Sequence, residues 1–473
     1  MPNSALVCRA RITLAASDRS HRVGTRARVD VKAFIDQRGM ASMQWLLLAL
    51  CFLVVAVDGM DVAIMGFLAP SILQEWGASR ASFGVVMSAA PFGLVIGALV
   101  AGPASDRLGR KVVLTASVLL FGLFTIATAY SHNLPEMAVL RLLTGIGLGA
   151  AMPNSTTLLS EYVPQRSRSL LIAVMFTGFN LGSGVVGFIA AAMIPAYGWR
   201  SVLILGGALP LLLVPLLIVL LPESARFLIV RGRPSARIAA VLGRVCRTDF
   251  APGTEFFAPE PPVAAKKSIG VLFSKGYGMM TGALWITYFM GLLVIYLLTG
   301  WLPTLIKDAG LPISAAATIT AMFQIGGTVG AILVGWAMDR GAPTRVIGAA
   351  YAAGAICILA LGAGGALSGS LTLLVAAAGF FMSGAQTGLN AFAPNCYPTR
   401  ARATGVSWML GMGRFGSITG SMVGGVLLSM GWGFNAIISL LAVPAVLAGL
   451  AVLLARRVED QGRPDDDATL AHA

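Results

Sequence analysis

Charge is scarce in this chain. Asp, Glu, Lys and Arg make up 11% of its 473 residues, against 57% hydrophobic residues. An average soluble domain carries about 25% charged residues. With a mean hydropathy of +0.82, the sequence has too little polar surface to cover its apolar side chains in water. That excludes a soluble globular protein and leaves a polytopic membrane protein. Histidine is nearly missing: His21, His132 and His472 all fall outside the apolar runs. No membrane-embedded histidine relay can form, and any proton that crosses must ride on carboxylates. Cys8, Cys51, Cys246, Cys357 and Cys396 form no CxxC pair and have no histidine nearby, which argues against a disulfide framework and a metal site. Neither a nucleophile–base pair nor a cofactor loop is present, so no enzyme and no bound cofactor is expected. Acidic residues are outnumbered by Lys and Arg, 20 to 34. The excess does not signal nucleic acid, because the bases cluster in short segments between apolar runs, where they orient helices.

What the chain has in abundance is glycine, 56 residues, which suits helices packed closely in a membrane, and long apolar runs. Runs of spanning length recur twelve times, at about 44–73, 81–104, 111–131, 135–160, 168–194, 200–221, 279–305, 314–338, 344–366, 371–395, 403–429 and 433–455. The expected fold is an all-α membrane protein with twelve transmembrane helices in two six-helix halves, 44–221 and 279–455. Between them, 222–278 reads as a polar linker with Arg231, Arg233, Arg237, a Pro-rich stretch, Lys266 and Lys267. Residues 1–43 are Arg-rich and lack an apolar core of signal-peptide length, so they are expected to be a disordered tail, with Met40 and Met43 as alternative starts. Residues 456–473 form a second tail.

The halves repeat each other. Gly97–Val113 parallels Gly330–Ile347 and aligns Asp106 with Asp339; Tyr162 and the Arg-rich segment after it parallel Tyr397 and its successors. Gly182-Ser183 leading to Gly198-Trp199 parallels Gly416-Ser417 leading to Gly431-Trp432. Two related halves imply alternating access around a site near the midplane. Arg107, Arg110, Lys111, Arg166, Arg168, Arg340, Arg345, Arg400 and Arg402 share one side with the linker, whereas Arg80, Arg200 and Lys307 lie on the other. The first side, with both termini, is expected in the cytoplasm.

The chemistry sits inside the apolar runs. Asp58 and Asp61 interrupt the run that begins at Trp45. Spaced i, i+3, they share a helix face, and a mid-membrane carboxylate faces a protein interior or a water path. The pair suggests proton or cation handling; a structural reading, in which a basic partner neutralises both, stays open. Asp58 lies about 21 Å from the inner end of its run, and Arg141, about 9 Å from the outer end of its own, lies about 21 Å from the inner edge of a core about 30 Å thick. The similar depths support an ion pair, or a cluster in which a substrate anion competes for the arginine. Arg414 lies about 16 Å into the eleventh run. A guanidinium fork matches a carboxylate, so Arg141 and Arg414 suit an anionic substrate, unless Arg141 only neutralises an aspartate and Arg414 only packs. Carrying a monoanion into a negative-inside cell costs about 2.3 kcal/mol per 100 mV, and one co-moving proton cancels it. Asn154, Asn180, Gln324, Gln386 and Asn390 are possible pocket residues, as are Trp285, Tyr288, Tyr296 and Trp301. At the turn after the second run, Asp106, Arg107 and Arg110, joined by Glu161, could lock one conformation by ion pairing.

Gly102-Pro-Ala-Ser-Asp106-Arg107-Leu-Gly109-Arg110-Lys111 resembles the signature between helices 2 and 3 of the major facilitator superfamily. Asp58-Gly59-Met60-Asp61 with Gly66-Phe67-Leu68-Ala69-Pro70, and Arg141 through Asn154 to Glu161-Tyr162, are similar to helices 1 and 4 of its aromatic acid:proton symporter family. Gly384 to Asn390, Tyr397 to Gly405 and Gly411 to Arg414 resemble that family's helices 10 and 11. The resemblance covers about residues 44–455 and is nearest to 4-hydroxybenzoate and protocatechuate carriers. It implies proton-coupled uptake of an aromatic carboxylate across a bacterial inner membrane by a monomer. It also implies that Asp58, Asp61, Arg141 and Arg414 serve substrate and proton, and that Asp106, Glu161 and Arg402 form a cytoplasmic gate. Met60 and Val62 depart from the pattern where an aromatic residue and Thr are common, and the second-half loop from Asp339 to Arg345 lacks the full first-half pattern.

Three other functions compete. Pro222-Glu223-Ser224-Ala225-Arg226 echoes a sugar-porter motif, yet a neutral sugar gives no reason for two acids and an arginine together. A drug antiporter would show GPxxGG in the fifth run, where Gly182-Ser-Gly-Val-Val-Gly187 stands. A membrane sensor for aromatic acids would need a signalling domain, and the linker is too short for one.

Overall fold

The computed structural model describes residues 28–258, 270, 272–274, 277–363, 368–397 and 401–460. A short strand β1 (Arg28–Asp30) and helix α1 (Val31–Asp36) precede the first long helix. The first half comprises α2 (Ser42–Trp76), α3 (Arg80–Leu108), α4 (Arg110–Ala129), α5 (Leu134–Tyr162), α6 (Gln165–Tyr197) and α7 (Trp199–Leu220). The connecting segment holds α8 (Ala225–Val230), α9 (Ser235–Cys246) and strand β2 (Glu255–Phe257). The second half comprises α10 (Gly278–Asp308), α11 (Ile313–Arg340), α12 (Pro343–Gly362), α13 (Ser368–Phe392), α14 (Arg402–Ser429) and a last pair, α15 (Phe434–Leu440) and α16 (Ala442–Asp460). Among the described residues, eleven helical spans are long and apolar enough to cross a membrane; α14, 28 residues long, is the twelfth long helix. The helices run a few residues past the expected spans at most ends. The twelfth run differs in being broken at Leu441, just before Pro444, whose ring nitrogen cannot donate to a helix carbonyl.

Glycine sets how the helices meet, and it does so twice. A Cβ on Gly93 or Gly97 of α3 would collide with the Leu142 or Ile146 carbonyl of α5, and one on Gly145 with the Ala90 carbonyl. In the second half the same roles fall to Gly326 and Gly330 of α11, against Ala376 and Phe380 of α13, and to Gly379 against Phe323. Gly182 of α6 meets the Ala56 carbonyl of α2, as Gly416 of α14 meets the Phe289 carbonyl of α10. Close backbone approach replaces hydrophobic drive, which is absent between helices in lipid. The internal repeat is thus written into the contacts.

The expectation of a disordered tail fails for residues 28–43; residues 1–27 lie outside the described residues. β1 pairs in parallel with β2, Arg28 opposite Glu255 and Asp30 opposite Phe257. Val31 and Ile35 are buried with Leu242 and Val245 of α9. Phe250 packs on Phe34 (5.2 Å) and Phe256 (5.0 Å), and the Arg38 guanidinium stacks on Phe34 at 4.2 Å. Asp36 accepts a hydrogen bond from the Gln165 backbone N–H at 2.8 Å, at the start of α6. Enough apolar side chains meet here to order a segment whose arginines alone suggest a solvated tail.

The halves are fastened on the side away from the linker. Arg80 pairs with Asp308 at 2.7 Å, and Lys307 Nζ donates to Gln74 Oε1 at 2.7 Å. Phe83 meets Trp301 edge-on at 6.2 Å. Towards the linker, Leu99 and Val100 on α3 and Trp408 on α14 are exposed, and so is Asn390 on α13.

Candidate functional site

A cavity of about 50 Å³ lies between the halves, lined by α2, α3, α5 and α6 on one side and α10, α11 and α14 on the other. Asp61 and Arg141 both stand on its wall. Arg141 Nη1 is 3.1 Å from Asp61 Oδ2, and both residues are buried, Arg141 completely. The rest of the guanidinium is bound by threonines. Nε donates to Thr128 Oγ1 (3.4 Å), and Nη2 to Thr125 (3.1 Å), Thr128 (3.3 Å) and Thr144 (3.2 Å). The Thr125 hydroxyl donates in turn to Asp61 Oδ1.

The structure therefore corrects the expected pairing: Arg141 meets Asp61, not Asp58. The expected depth takes a core of about 30 Å, whereas α5, with 29 residues, is about 43 Å long. α2 starts at Ser42 and α5 runs to Tyr162, so at 1.5 Å per residue Asp61 and Arg141 lie about 28 and 31 Å from those ends. Asp58 sits one turn nearer the linker. It is buried, and its Oδ1 has no hydrogen-bond partner among the described residues. It lies within electrostatic reach of Arg414 and Asp61. Arg414 is half-buried and lies within electrostatic reach of Tyr296.

The other expected pocket residues divide. Gln324 lines the cavity, with Nε2 donating to Thr299 Oγ1 at 3.2 Å, and Asn180 and Tyr296 line it too. Asn154 does not: it accepts from Ser105 at 2.6 Å and donates to the Ala150 carbonyl, tying α3 to α5. Gln386 accepts from Tyr351 at 2.7 Å inside the second half. Tyr288 is buried against Gly413, and Asn390 is exposed. Trp285 stacks on Trp408 at 5.8 Å, away from the cavity wall, and Trp301 donates to the Ser421 carbonyl. Thr125, Thr128 and Thr144 were overlooked. Their signal is present in the sequence, as hydroxyls spaced i, i+3 in the third run and from Arg141 to Thr144 in the fourth.

At the linker face, Arg110 lies 3.4 Å from Asp106 and 3.8 Å from Glu161. Arg231, after α8, donates to the Asp106 and Arg107 carbonyls at 3.0 Å each, and Glu223 accepts from the Lys111 backbone N–H. This network ties the first half to the linker helices. Arg402 is exposed and stands apart from it among the described residues.

The Major Facilitator Superfamily model matches residues 51–368 and 284–471. The chain belongs to the major facilitator superfamily. It is 61% identical over 427 residues to the gallate transporter of Pseudomonas putida, covering 90% of this chain and 95% of that one. It is 51% identical to the 4-hydroxybenzoate transporter PcaK of Pseudomonas aeruginosa, covering 90% and 96%. The inward-open xylose transporter XylE of Escherichia coli matches with a TM-score of 0.68 at 17% identity, over 89% of this chain and 100% of that one. At that identity the match speaks to fold. This superfamily member is a transporter, not an enzyme.

Proposed function

We propose that this protein is a proton-coupled importer of hydroxylated benzoates, of the gallate and 4-hydroxybenzoate type. It acts as a single chain in a bacterial inner membrane, with the linker face and both termini in the cytoplasm. The observation that carries this reading is the buried Asp61–Arg141 pair on the wall of a cavity between the halves. A charge at that depth costs several kcal/mol and is retained where it does transport work. The gallate and 4-hydroxybenzoate carriers that this chain resembles supply the substrate class, and the basic loops supply the orientation. A carboxylate arriving at Arg414 or Arg141 competes with Asp58 or Asp61, and the displaced aspartate takes a proton.

A space of about 50 Å³ is smaller than the cavity of about 150 Å³ that holds benzene. The acid is therefore bound in a state in which the halves have moved. With the far side fastened by Arg80 and Asp308, this state faces inward. The direct test is uptake into proteoliposomes of labelled gallate, 4-hydroxybenzoate, protocatechuate, benzoate and xylose under an imposed pH gradient, acid outside. Aromatic acids should accumulate and a protonophore should abolish it. Accumulation of xylose alone, or uptake indifferent to the gradient, would overturn the proposal.

A further inference from the structure

Arginine is a donor only, and a hydroxyl has one proton to give. Each threonine beside Arg141 accepts from the guanidinium, so its own proton goes elsewhere. Thr128 spends it on the Phe124 carbonyl at 2.7 Å and Thr144 on the Leu140 carbonyl at 2.9 Å, one turn back on their own helices. Thr125 instead donates to Asp61 Oδ1. Thr125 thus touches both charges of the pair, while the other two touch one.

The wiring has a consequence. Nε and Nη2 of Arg141 are occupied by hydroxyls that do not depend on Asp61 being charged, and Nη1 alone contacts the carboxylate. If Asp61 takes a proton, the guanidinium stays seated and only Nη1 changes partner. We propose that Thr125, Thr128 and Thr144 are positioning residues that hold Arg141 fixed through the transport cycle. Nη1 is then the one donor exchanged between Asp61 and an incoming carboxylate, and Thr125 sets how readily Asp61 is neutralised. This deepens the reading of a proton and a carboxylate moving together and rests on it.

The charged and titratable groups around Asp61 are few. Arg141 comes from α5, Asp58 from its own helix, Tyr296 from α10, and Arg414, reaching Asp58, from α14. Helices α3, α4, α6 and α7 bring no titratable side chain to it among the described residues. Removing the Thr125 hydroxyl takes one hydrogen bond from the ionised carboxylate, and bonds to the charged form favour that form.

The test compares wild type with Thr125→Val, Thr125→Ala, Thr125→Ser and Thr144→Val in two measurements. The first is gradient-driven uptake of 4-hydroxybenzoate against external pH. The second is the thermal-unfolding midpoint of the ligand-free protein against pH, which needs no substrate. For Val and Ala at 125, both profiles should be displaced along the pH axis relative to wild type. Ser should restore the wild-type profiles, and Thr144→Val should slow uptake severalfold without moving either. Unmoved profiles in both Val and Ala overturn the proposal. So does failure of both to fold while Ser folds, which would make the hydroxyl merely structural. A wild type that takes up no aromatic acid while its unfolding profile still shifts in the variants would sink the function reading and leave the positioning role standing.

Discussion

Arg141 and Arg414 are each the deep basic residue of their half, yet their surroundings differ. Arg141 is completely buried, with every donor nitrogen engaged by Asp61 and three threonines. Arg414 is half-buried, within electrostatic reach of Tyr296 and of Asp58, whose Oδ1 has no partner among the described residues. The repeat does not explain the difference. Counting back from the matched glycines, the counterpart of Arg141 (four before Gly145) is Val375 (four before Gly379). The counterpart of Arg414 (two before Gly416) is Asn180 (two before Gly182). Duplication supplied the helix crossings twice and the charges once each. An arginine held on three hydroxyls can exchange only the donor that faces Asp61, whereas a half-buried one can offer more of its fork to a ligand.

The largest effect should come from Arg141→Ala. It strands Asp61 without its cation, which costs about 3–5 kcal/mol, so the unfolding midpoint should fall steeply and uptake should vanish. Lys at 141 should not rescue either, because it lacks the planar fork that reaches three hydroxyls. Asp58→Asn comes next: gradient-driven accumulation should be lost while exchange of labelled for unlabelled acid persists. Full accumulation by that variant would remove Asp58 from the proton path. Arg414→Ala should leave the unfolding midpoint near wild type and raise KM by about ten- to a hundredfold, the worth of a hydrogen bond to a charged group. Equal destabilisation by the two arginine variants would erase the contrast drawn above. The smallest change should follow Asp308→Asn. An exposed ion pair contributes about 0.2–1 kcal/mol, so thiol labelling of a Thr299→Cys variant from the far side should quicken by no more than a few fold.

The architecture was legible because hydropathy, glycine and basic loops repeat over long stretches, and each helix of spanning length declares itself. That Asp61, Arg141 and Gln324 face a shared interior space was legible too, since polar groups in apolar runs are conspicuous. Partner choice was not. Asp58 and Asp61 are three residues apart, about 4.5 Å of rise, and a depth counted across a core of about 30 Å misplaces Arg141 by more than that on a helix of 29 residues. The threonines escaped notice because a hydroxyl in a membrane helix ordinarily satisfies itself on its own carbonyl, as Thr128 and Thr144 partly do. The order of residues 28–43 escaped because its partners, Phe250 and Phe256, lie more than two hundred residues away in the chain.

Pairing β1 with β2 fixes the connector as far as Phe257 to the first half. The stretch from Leu221 to Phe257 is therefore part of the first half and not a link between the halves. A cut or an inserted tag within that stretch would disturb the packing of the first half itself.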